Sequence, residues 1–227
     1  MNSMPPALWA KQWRDVDIQV FDIGDESPLS LANAGALLND GEKARARKFH
    51  FDPDRYRWMR SRALLRLCLA MRLEINAGDV RFCCGVNGKP ELSPGGSGPP
   101  LSFNLSHSGD FAAIAIGAEP VGVDIESWND DLPVADLADH AFRPEESAAI
   151  RSCAEPRLLF YQLWTAKEAV MKCTGLGMSL PPDYIQISGE PGGGLYGAAR
   201  LDQEESFELF AHNHPRTWVL SVARRAS

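Results

Sequence analysis

The segment from Val121 to Glu126 constrains the fold of this chain more than any other, because its apolar and polar residues alternate. A period of two in a run of β-branched residues predicts a half-buried strand with one apolar face and one acidic face. Residues two apart on a strand point the same way and lie about 6.6 to 7 Å apart, so the carboxylates of Asp124 and Glu126 can lean towards one cation.

Two interpretations of this acidic strand are open. Mg²⁺ prefers one or two carboxylates and completes its octahedron with waters and substrate phosphates, so the strand is typical of half a site for a phosphate-bearing ligand. A solvent-facing strand with two charges has the same pattern. For a single short motif this second interpretation is favoured, because such motifs often match by chance.

Length and composition are those of a globular protein. The chain has 227 residues, of which 44% are hydrophobic and 23% charged, which allows one large domain or two small ones. No apolar run approaches the ~20 residues that a membrane span needs, and no basic stretch followed by an apolar one marks the first ten residues for export. We therefore expect a cytoplasmic protein without membrane contact. The five cysteines contain no C-x-x-C pair, so packed thiols are expected.

Charge is unevenly distributed along the chain. The formal net charge is −7, yet 11 of the 23 basic residues lie between Lys43 and Arg81. A concentrated basic region in an acidic protein favours an anionic ligand at a local site over nucleic acid bound along a whole surface. For most of these arginines a solvated helix face explains the pattern equally well.

Periodicity and breaker residues predict the order of the elements. Strands are expected at 16–20, 80–84, 101–105, 111–116, 121–126, 184–187, 207–211 and 218–222. Helices are expected at about 31–48 with a break at 39–41, after the N-cap Asp52 and Pro53, at 142–151, and at about 157–174. The three strands between 101 and 126 form an antiparallel meander, whose turn can bring Ser106 and His107 near Asp124.

The helix predicted at 157–174 carries Trp164, Glu168 and Lys172 at four-residue spacing on one stripe, with Lys167 about 100° away. Glu168 lies one turn from Lys172, so beside that positive charge and a bound Mg²⁺ we expect it to remain ionised at neutral pH. Four-spaced Glu and Lys can also form a surface ion pair worth ~0.3 to 0.5 kcal/mol, which is favoured without other information.

The histidines give weak signals by themselves. A single histidine such as His107 is more often structural than functional. His212 and His214 can bind a metal from one face of a strand, but two histidines without further ligands are weak support for a site.

Three motifs taken together make the chain resemble the 4′-phosphopantetheinyl transferase superfamily, in particular its larger monomeric branch that serves peptide and polyketide synthetases. Residues 103–108 resemble the family's N-x-S-H-S segment, 121–126 its G-[IV]-D-[IV]-E strand, and 164–177 its W-[ST]-x-K-E-x-x-x-K-x-x-G-x-G helix. Residues 87–90 resemble its N-G-K-P turn, and 45–49 its basic segment. The joint match is far more specific than any one motif, and it reverses the preferences given above.

The resemblance implies an α/β (α+β) fold of two similar pseudo-symmetric halves, each a small, mainly antiparallel sheet packed with helices. We place these halves at 1–118 and 119–227, with the active site in the cleft between them. Coenzyme A would bind there as the substrate. Its 4′-phosphopantetheine arm would pass to a serine of an apo acyl or peptidyl carrier protein, with release of 3′,5′-ADP.

Roles for individual residues also follow from the resemblance. Three carboxylates would hold Mg²⁺, with Mn²⁺ as a substitute: Asp124, Glu126 and Glu168. Three basic residues would contact phosphate oxygens, and the last of them would stabilise the leaving group: His107, Lys167 and Lys172. Three further residues would hold the nucleotide or its 3′-phosphate: Arg45, Lys89 and Ser106. Glu168, Lys172 and His107 are the predicted catalytic residues.

Two alternatives from other classes remain open. A Mg²⁺-dependent pyrophosphohydrolase would use the same acidic strand without a protein acceptor. A non-catalytic nucleotide-binding module would have no need of Glu168, and the intact W-T-A-K-E helix argues against it. Intact-mass analysis of apo carrier proteins incubated with coenzyme A, Mg²⁺ and this protein separates the three.

Overall fold

The computed structural model describes residues 4–85, 88–94, 101–188, 197–201 and 205–226. Asn87 of the predicted N-G-K-P turn lies outside these residues. The first half contains a four-stranded antiparallel sheet in the order β1-β2-β6-β5, and a short antiparallel pair, β3 and β4. These strands span Trp9–Trp13 (β1), Val16–Asp22 (β2), Phe82–Cys84 (β3), Pro90–Leu92 (β4), Ser102–Ser108 (β5) and Phe111–Gly117 (β6).

The second half contains a five-stranded antiparallel sheet in the order β7-β11-β10-β9-β8. Its strands span Val121–Ser127 (β7), Ile185–Ser188 (β8), Gly197–Leu201 (β9), Glu205–His214 (β10) and Trp218–Arg225 (β11). The predicted boundary at 118/119 falls in the connection between β6 and β7, and its role as a domain boundary stays a prediction.

Six helices accompany the sheets in the described parts of the chain: Leu31–Leu37 (α1), Asp40–Ala46 (α2), Asp52–Leu73 (α3), Val134–Ala141 (α4), Pro144–Ser152 (α5) and Pro156–Thr174 (α6). The predicted break between two helices is confirmed, but it lies at 38–39 and not at 39–41, because Asn39 forms a capping box with Glu42 and α2 begins at Asp40. None of the described helices is long and apolar enough to cross a membrane.

The start of α3 differs from its prediction by one residue. Phe51 is the N-cap and makes no side-chain capping hydrogen bond, whereas Asp52 is the first helical residue. The carboxylates of Asp52 and Asp54 therefore lie in the first turn of α3, where their negative charge interacts favourably with the positive end of the helix dipole. The strand β1 was missed, because its sequence places the polar residues Lys11 and Gln12 between two tryptophans at a sheet edge.

Packing gives a layered arrangement in which the two sheets meet face to face. α3 covers the outer face of the first sheet, where Leu64 contacts the same core as Ile114. Ile18 and Val123 belong to the core between the two sheets. α6 covers the far face of the second sheet. The predicted α+β fold of two halves, each with an antiparallel sheet and helices, is confirmed.

Candidate active site

The acidic strand β7 lies directly beneath α6. A Cβ atom on Gly122 would stand 1.9 Å from the carbonyl oxygen of Ala169 and 2.4 Å from the backbone nitrogen of Cys173. Only glycine allows this approach of the two backbones, which gives the glycine of the strand motif a physical reason. The close contact brings the side chains on that face of β7 to the surface of α6.

Asp124 is the centre of a buried polar cluster at the junction of β5, β7 and α6. Its side-chain atom Oδ1 accepts a hydrogen bond of 2.8 Å from Ser106 Oγ, and lies 2.5 Å from the ammonium nitrogen of Lys172. The same ammonium donates to Ser106 Oγ at 3.0 Å. Asp124 is 3% exposed, and its other oxygen, Oδ2, is buried without a hydrogen-bond partner. A buried carboxylate oxygen without a hydrogen-bond partner is unfavourable, so a cation beside Oδ2 would stabilise Asp124.

Glu126 and Glu168 flank this cluster. Glu126 Oε2 accepts a hydrogen bond of 2.6 Å from Ser108 Oγ, and Trp164 also donates to this carboxylate. Burial, followed by the negative charge of Asp124, raises the pKa of Glu126. Burial likewise raises the pKa of Glu168, where Lys172 opposes the shift and Asp124 adds to it.

Lys172 favours the ionised form of Glu168 as expected, and the ionisation of Glu168 beside Mg²⁺ at neutral pH stays a prediction. Desolvation of the carboxylate exceeds the attraction of one partly exposed ammonium group, so the net shift of the pKa is upward.

These three carboxylates fit a divalent cation in charge and donor type. Two of them have raised pKa values, and the third carries the unpartnered oxygen, so positive charge placed among them would stabilise all three. In the described parts of the chain, no three His, Cys, Asp or Glu side chains are already arranged to hold a metal ion. The ammonium group of Lys172 supplies the positive charge at Asp124 instead.

Packing of β5 of the first sheet on β7 of the second explains why the serines lie next to the acids. β5 runs beside β7, and the side chain of Asn104 accepts a hydrogen bond of 2.9 Å from the backbone of Val123. Polar residues alternate along β5 and meet the acids of β7 eighteen positions later, Ser106 at Asp124 and Ser108 at Glu126. Sequence reasoning assigned no role to Asn104, Ser108 or the indole of Trp164. For Asn104 and Ser108 the signal was the period of two in 104–108, which matches the period of the acidic strand.

His107 lies at the mouth of this cluster and is exposed. Partial burial lowers the pKa of its imidazole, the charge of Lys172 lowers it further, and Asp54 of α3 opposes both effects. The ring therefore lies close enough to α3 and to the Lys172 ammonium group to be influenced by charges on both.

Lys89 joins the two halves. Its ammonium group donates to the carbonyl oxygens of Lys172 at 2.6 Å and of Val121 at 3.3 Å, which leaves one hydrogen for a ligand. Burial lowers the pKa of Lys89. Arg45 lies apart from this contact, exposed in the last turn of α2, with its guanidinium carbon 5.5 Å from the centroid of the Trp58 ring.

Lys167 is the predicted site residue that the structure contradicts. Its ammonium nitrogen is buried and contacts three oxygens, Glu146 Oε2 at 2.7 Å, Pro182 O at 2.9 Å and Ile185 O at 2.8 Å. All three hydrogens of an ammonium group are thereby used, so none is left for phosphate. The predicted phosphate contact of Lys167 is therefore wrong, because α6 is rotated so that this side chain points towards α5 instead of the cluster.

An apolar cavity of about 500 Å³ opens next to Glu126. Its lining comes from the end of β7, the loop after it, α4 and α6, and includes Trp128, Leu132, Leu137, Phe160 and Trp164. Such a wall suits apolar groups of a ligand or partner and does not suit phosphate.

Fold and site together define an α+β protein of two halves, with a carboxylate and lysine cluster suited to a cation and phosphate at their junction. Two family profiles match this chain, "4′-phosphopantetheinyl transferase, N-terminal" over residues 26–119 and "4′-phosphopantetheinyl transferase superfamily" over residues 120–223. The chain belongs to the 4′-phosphopantetheinyl transferase superfamily, and the match over both halves is that of its larger branch.

Individual relatives agree with this assignment. A protein of Synechocystis sp. is 38% identical over 71% of the chain and 66% of its own length. The 4′-phosphopantetheinyl transferase HetI of Nostoc sp. is 34% identical over 68% of the chain and 67% of its own length. The 4′-phosphopantetheinyl transferase ffp of Bacillus subtilis is 30% identical over 75% and 76%. The matches thus span from two thirds to three quarters of these relatives.

Proposed function

We propose that this chain transfers the 4′-phosphopantetheine arm of coenzyme A to a serine of an apo acyl or peptidyl carrier protein and releases 3′,5′-ADP. The observation that carries the proposal is the Asp124 cluster, a buried carboxylate with one free oxygen, paired to a lysine and flanked by two further carboxylates. The names of HetI and ffp support the same reaction class.

Asp124, Glu126 and Glu168 would hold Mg²⁺, or Mn²⁺ in its place, on the pyrophosphate of coenzyme A. The metal would neutralise charge on the phosphates and hold them in line for attack. Ser108 and Trp164 support this arrangement by donating hydrogen bonds to Glu126, which fixes its carboxylate in the cluster.

Lys172 is the residue best placed to act on the leaving group. Its side chain is 27% exposed, and the ammonium group contacts the cluster through Asp124 Oδ1 and Ser106 Oγ. A cation bound through the free Oδ2 would weaken the attraction of the Asp124 carboxylate for the ammonium group, which would then turn towards the departing 3′,5′-ADP phosphate and stabilise its negative charge.

Glu168 is the candidate acceptor of the serine proton. Its carboxylate lies one helical turn from Lys172 and close enough to Asp124 to feel its charge, so it would accept the proton directly or through a bound water. The serine oxygen would then bond to the β-phosphorus of coenzyme A while the bond to the bridging oxygen breaks. The carrier protein would dock at the apolar cavity beside Glu126.

The remaining predicted residues would bind the nucleotide end of coenzyme A. Ser106 and His107 would meet the phosphates at the cluster, and Lys89 would contribute its one free hydrogen between the halves. Arg45 would meet the 3′-phosphate from α2. We expect the protein to work as a monomer in the cytoplasm, and to need neither nucleic acid nor membrane.

Intact-mass measurement of apo carrier proteins tests this function. Incubation with coenzyme A, Mg²⁺ and the protein should add the mass of the phosphopantetheine arm to the carrier, and chelation of Mg²⁺ should stop the reaction. Asp25→Asn, which removes an exposed carboxylate far along the chain, is the matched control for Asp124→Asn. Cleavage of coenzyme A with an unmodified carrier would indicate a pyrophosphohydrolase instead, and binding without cleavage would indicate a nucleotide-binding module.

A further inference from the structure

A group of histidine and tryptophan side chains lies on the face of the second sheet that is turned away from α6. β10 alternates between two faces, with Phe207 and Leu209 in the core under α6 and Phe210 in the core between the sheets. His212 and His214 follow Phe210 at spacings of two and four, so they share its face. The carboxylates of the candidate active site interact with α6, which makes this histidine pair a separate region.

Packing against tryptophan holds both imidazole rings. Trp9 of β1 stacks on His212 with ring centroids 4.6 Å apart and planes 14° from parallel. The ring of Trp218 on β11 lies 5.4 Å from His212 and 5.7 Å from His214. Both histidine rings therefore border the indole of Trp218. His212 is half-buried and His214 is exposed, so solvent can reach the pair.

Hydrogen bonding fixes which nitrogen of His214 carries the proton. Its Nδ1 atom lies 3.0 Å from Thr217 Oγ1, and that hydroxyl donates its own hydrogen to Pro215 O at 3.1 Å. Because a hydroxyl has a single hydrogen, Thr217 Oγ1 accepts from the Nδ1–H of His214. Nε2 is then the unprotonated nitrogen with a lone pair for a ligand, which is the tautomer that supporting hydrogen bonds give to metal-binding histidines.

We propose that His212 and His214 form a binding site for a divalent transition-metal ion, with water completing the coordination. Imidazole suits Cu²⁺, Ni²⁺ and Zn²⁺, whereas Mg²⁺ takes oxygen ligands, so this site and the carboxylate cluster select different ions. In the described residues no third His, Cys, Asp or Glu completes the set, so the ion would exchange with solvent. It would bind where β1 of the first half meets β10 of the second.

Quenching of tryptophan fluorescence by Cu²⁺ tests the site, because Trp9 and Trp218 border both rings. The titration uses the full chain with its accessible thiols alkylated and with Mg²⁺ in excess, so that cysteines and the carboxylate cluster do not take up the ion. We expect saturable quenching at one ion per chain, lost in His214→Gln. The matched control His50→Gln removes an exposed histidine elsewhere and should behave as the unmodified protein.

Two further measurements separate a metal site from a change in packing. Electron paramagnetic resonance of bound Cu²⁺ should show coupling to two nitrogen ligands. Thr217→Val, which removes the acceptor for Nδ1–H, should weaken binding by about 10-fold or more, and Thr217→Ser should restore it. The proposal is overturned if the unmodified protein shows no saturable quenching, if His214→Gln is quenched equally, or if only one nitrogen couples to the copper.

Discussion

Two lysine and acid pairs lie five residues apart on α6, and they differ in how completely their hydrogen bonds are satisfied. The ammonium group of Lys167 is fully buried and has three oxygen acceptors, one from Glu146 and two from the backbone. The ammonium group of Lys172 is partly exposed, and its partner Asp124 keeps one oxygen without a hydrogen bond. We call the Lys167 pair saturated, because all hydrogens of its ammonium group are used, and the Lys172 pair unsaturated, because Asp124 keeps a free oxygen. A saturated pair stabilises the fold, whereas an unsaturated pair can exchange partners with a cation and a phosphate.

Breaking the saturated pair should have the largest effect, and it should fall on stability. Lys167→Met would leave the half-buried carboxylate of Glu146 without its partner, which costs about 3 to 5 kcal/mol for a buried ion pair. Urea unfolding measures the loss, with Lys11→Met on the edge strand β1 as the control, because that lysine is exposed. The folded fraction should still bind coenzyme A. If the variant is folded but no longer binds coenzyme A, Lys167 must be assigned to phosphate binding after all.

Breaking the unsaturated pair should act on the reaction. Asp124→Asn keeps the size of the side chain and removes the charge that would hold the metal. Because metal-ion charge stabilisation is worth several kcal/mol, transfer should fall by roughly 10³-fold or more. Circular dichroism should show an intact fold. Asparagine is preferred to alanine here, since Asp124 is buried and truncation would leave a cavity beside Lys172. Full activity in this variant would remove Asp124 from the site.

Glu168→Gln separates the two candidate roles of Glu168, metal ligand and base, in the cluster around Asp124. The substitution keeps one acceptor oxygen but removes the basicity. We therefore expect coenzyme A affinity within a few-fold of the unmodified protein, while transfer falls by ~10² or more. Calorimetry measures the affinity and intact mass measures the rate. A parallel collapse of Mg²⁺ and coenzyme A affinity would show that Glu168 is chiefly a metal ligand, and an unchanged rate would exclude both roles.

The smallest effects are expected at the nucleotide end. Alanine at His107 or Arg45 should weaken coenzyme A binding, and comparison with dephospho-coenzyme A separates their roles. A residue that contacts the 3′-phosphate should become nearly silent when that phosphate is absent, whereas a pyrophosphate contact should still matter. Lys89→Ala should weaken both ligands, because its ammonium group also joins the halves. Equal penalties with both ligands at all three positions would contradict these assignments.

The sequence predicted those parts of the site that lie within one element. The alternation in 121–126 gave β7, and its apolar residues enter the core between the sheets as expected. The spacing along α6 correctly placed Glu168 and Lys172 on one stripe, and both influence Asp124 and each other. The break between α1 and α2 followed from local capping chemistry at Asn39.

Predictions about contacts between elements were less complete. The predicted meander of three strands is wrong, because β7 pairs with β11 in the second sheet and not with β6. Ser106 does lie near Asp124, but through packing of one sheet on the other, and Ser108 and Asn104 were missed although they follow the same period. Lys167 was assigned to phosphate because it belongs to the same helix motif. Which way it points depends on how α6 is rotated against β7, and that rotation is set where Gly122 lets the two backbones approach.

By itself, then, the sequence determined the acidic strand, the helix that carries Glu168 and Lys172, and the family to which the chain belongs, because local periodicity and motif spacing report on one element at a time. Only the tertiary structure decided that Asp124 is buried with one free oxygen and that Lys167 is saturated while Lys172 is not. The physical reason is that a side chain's hydrogen-bond partners come from elements far apart in the chain, 48 positions for Lys172 and Asp124 and 21 for Lys167 and Glu146. Their meeting depends on the packing of α6 against the sheet and α5.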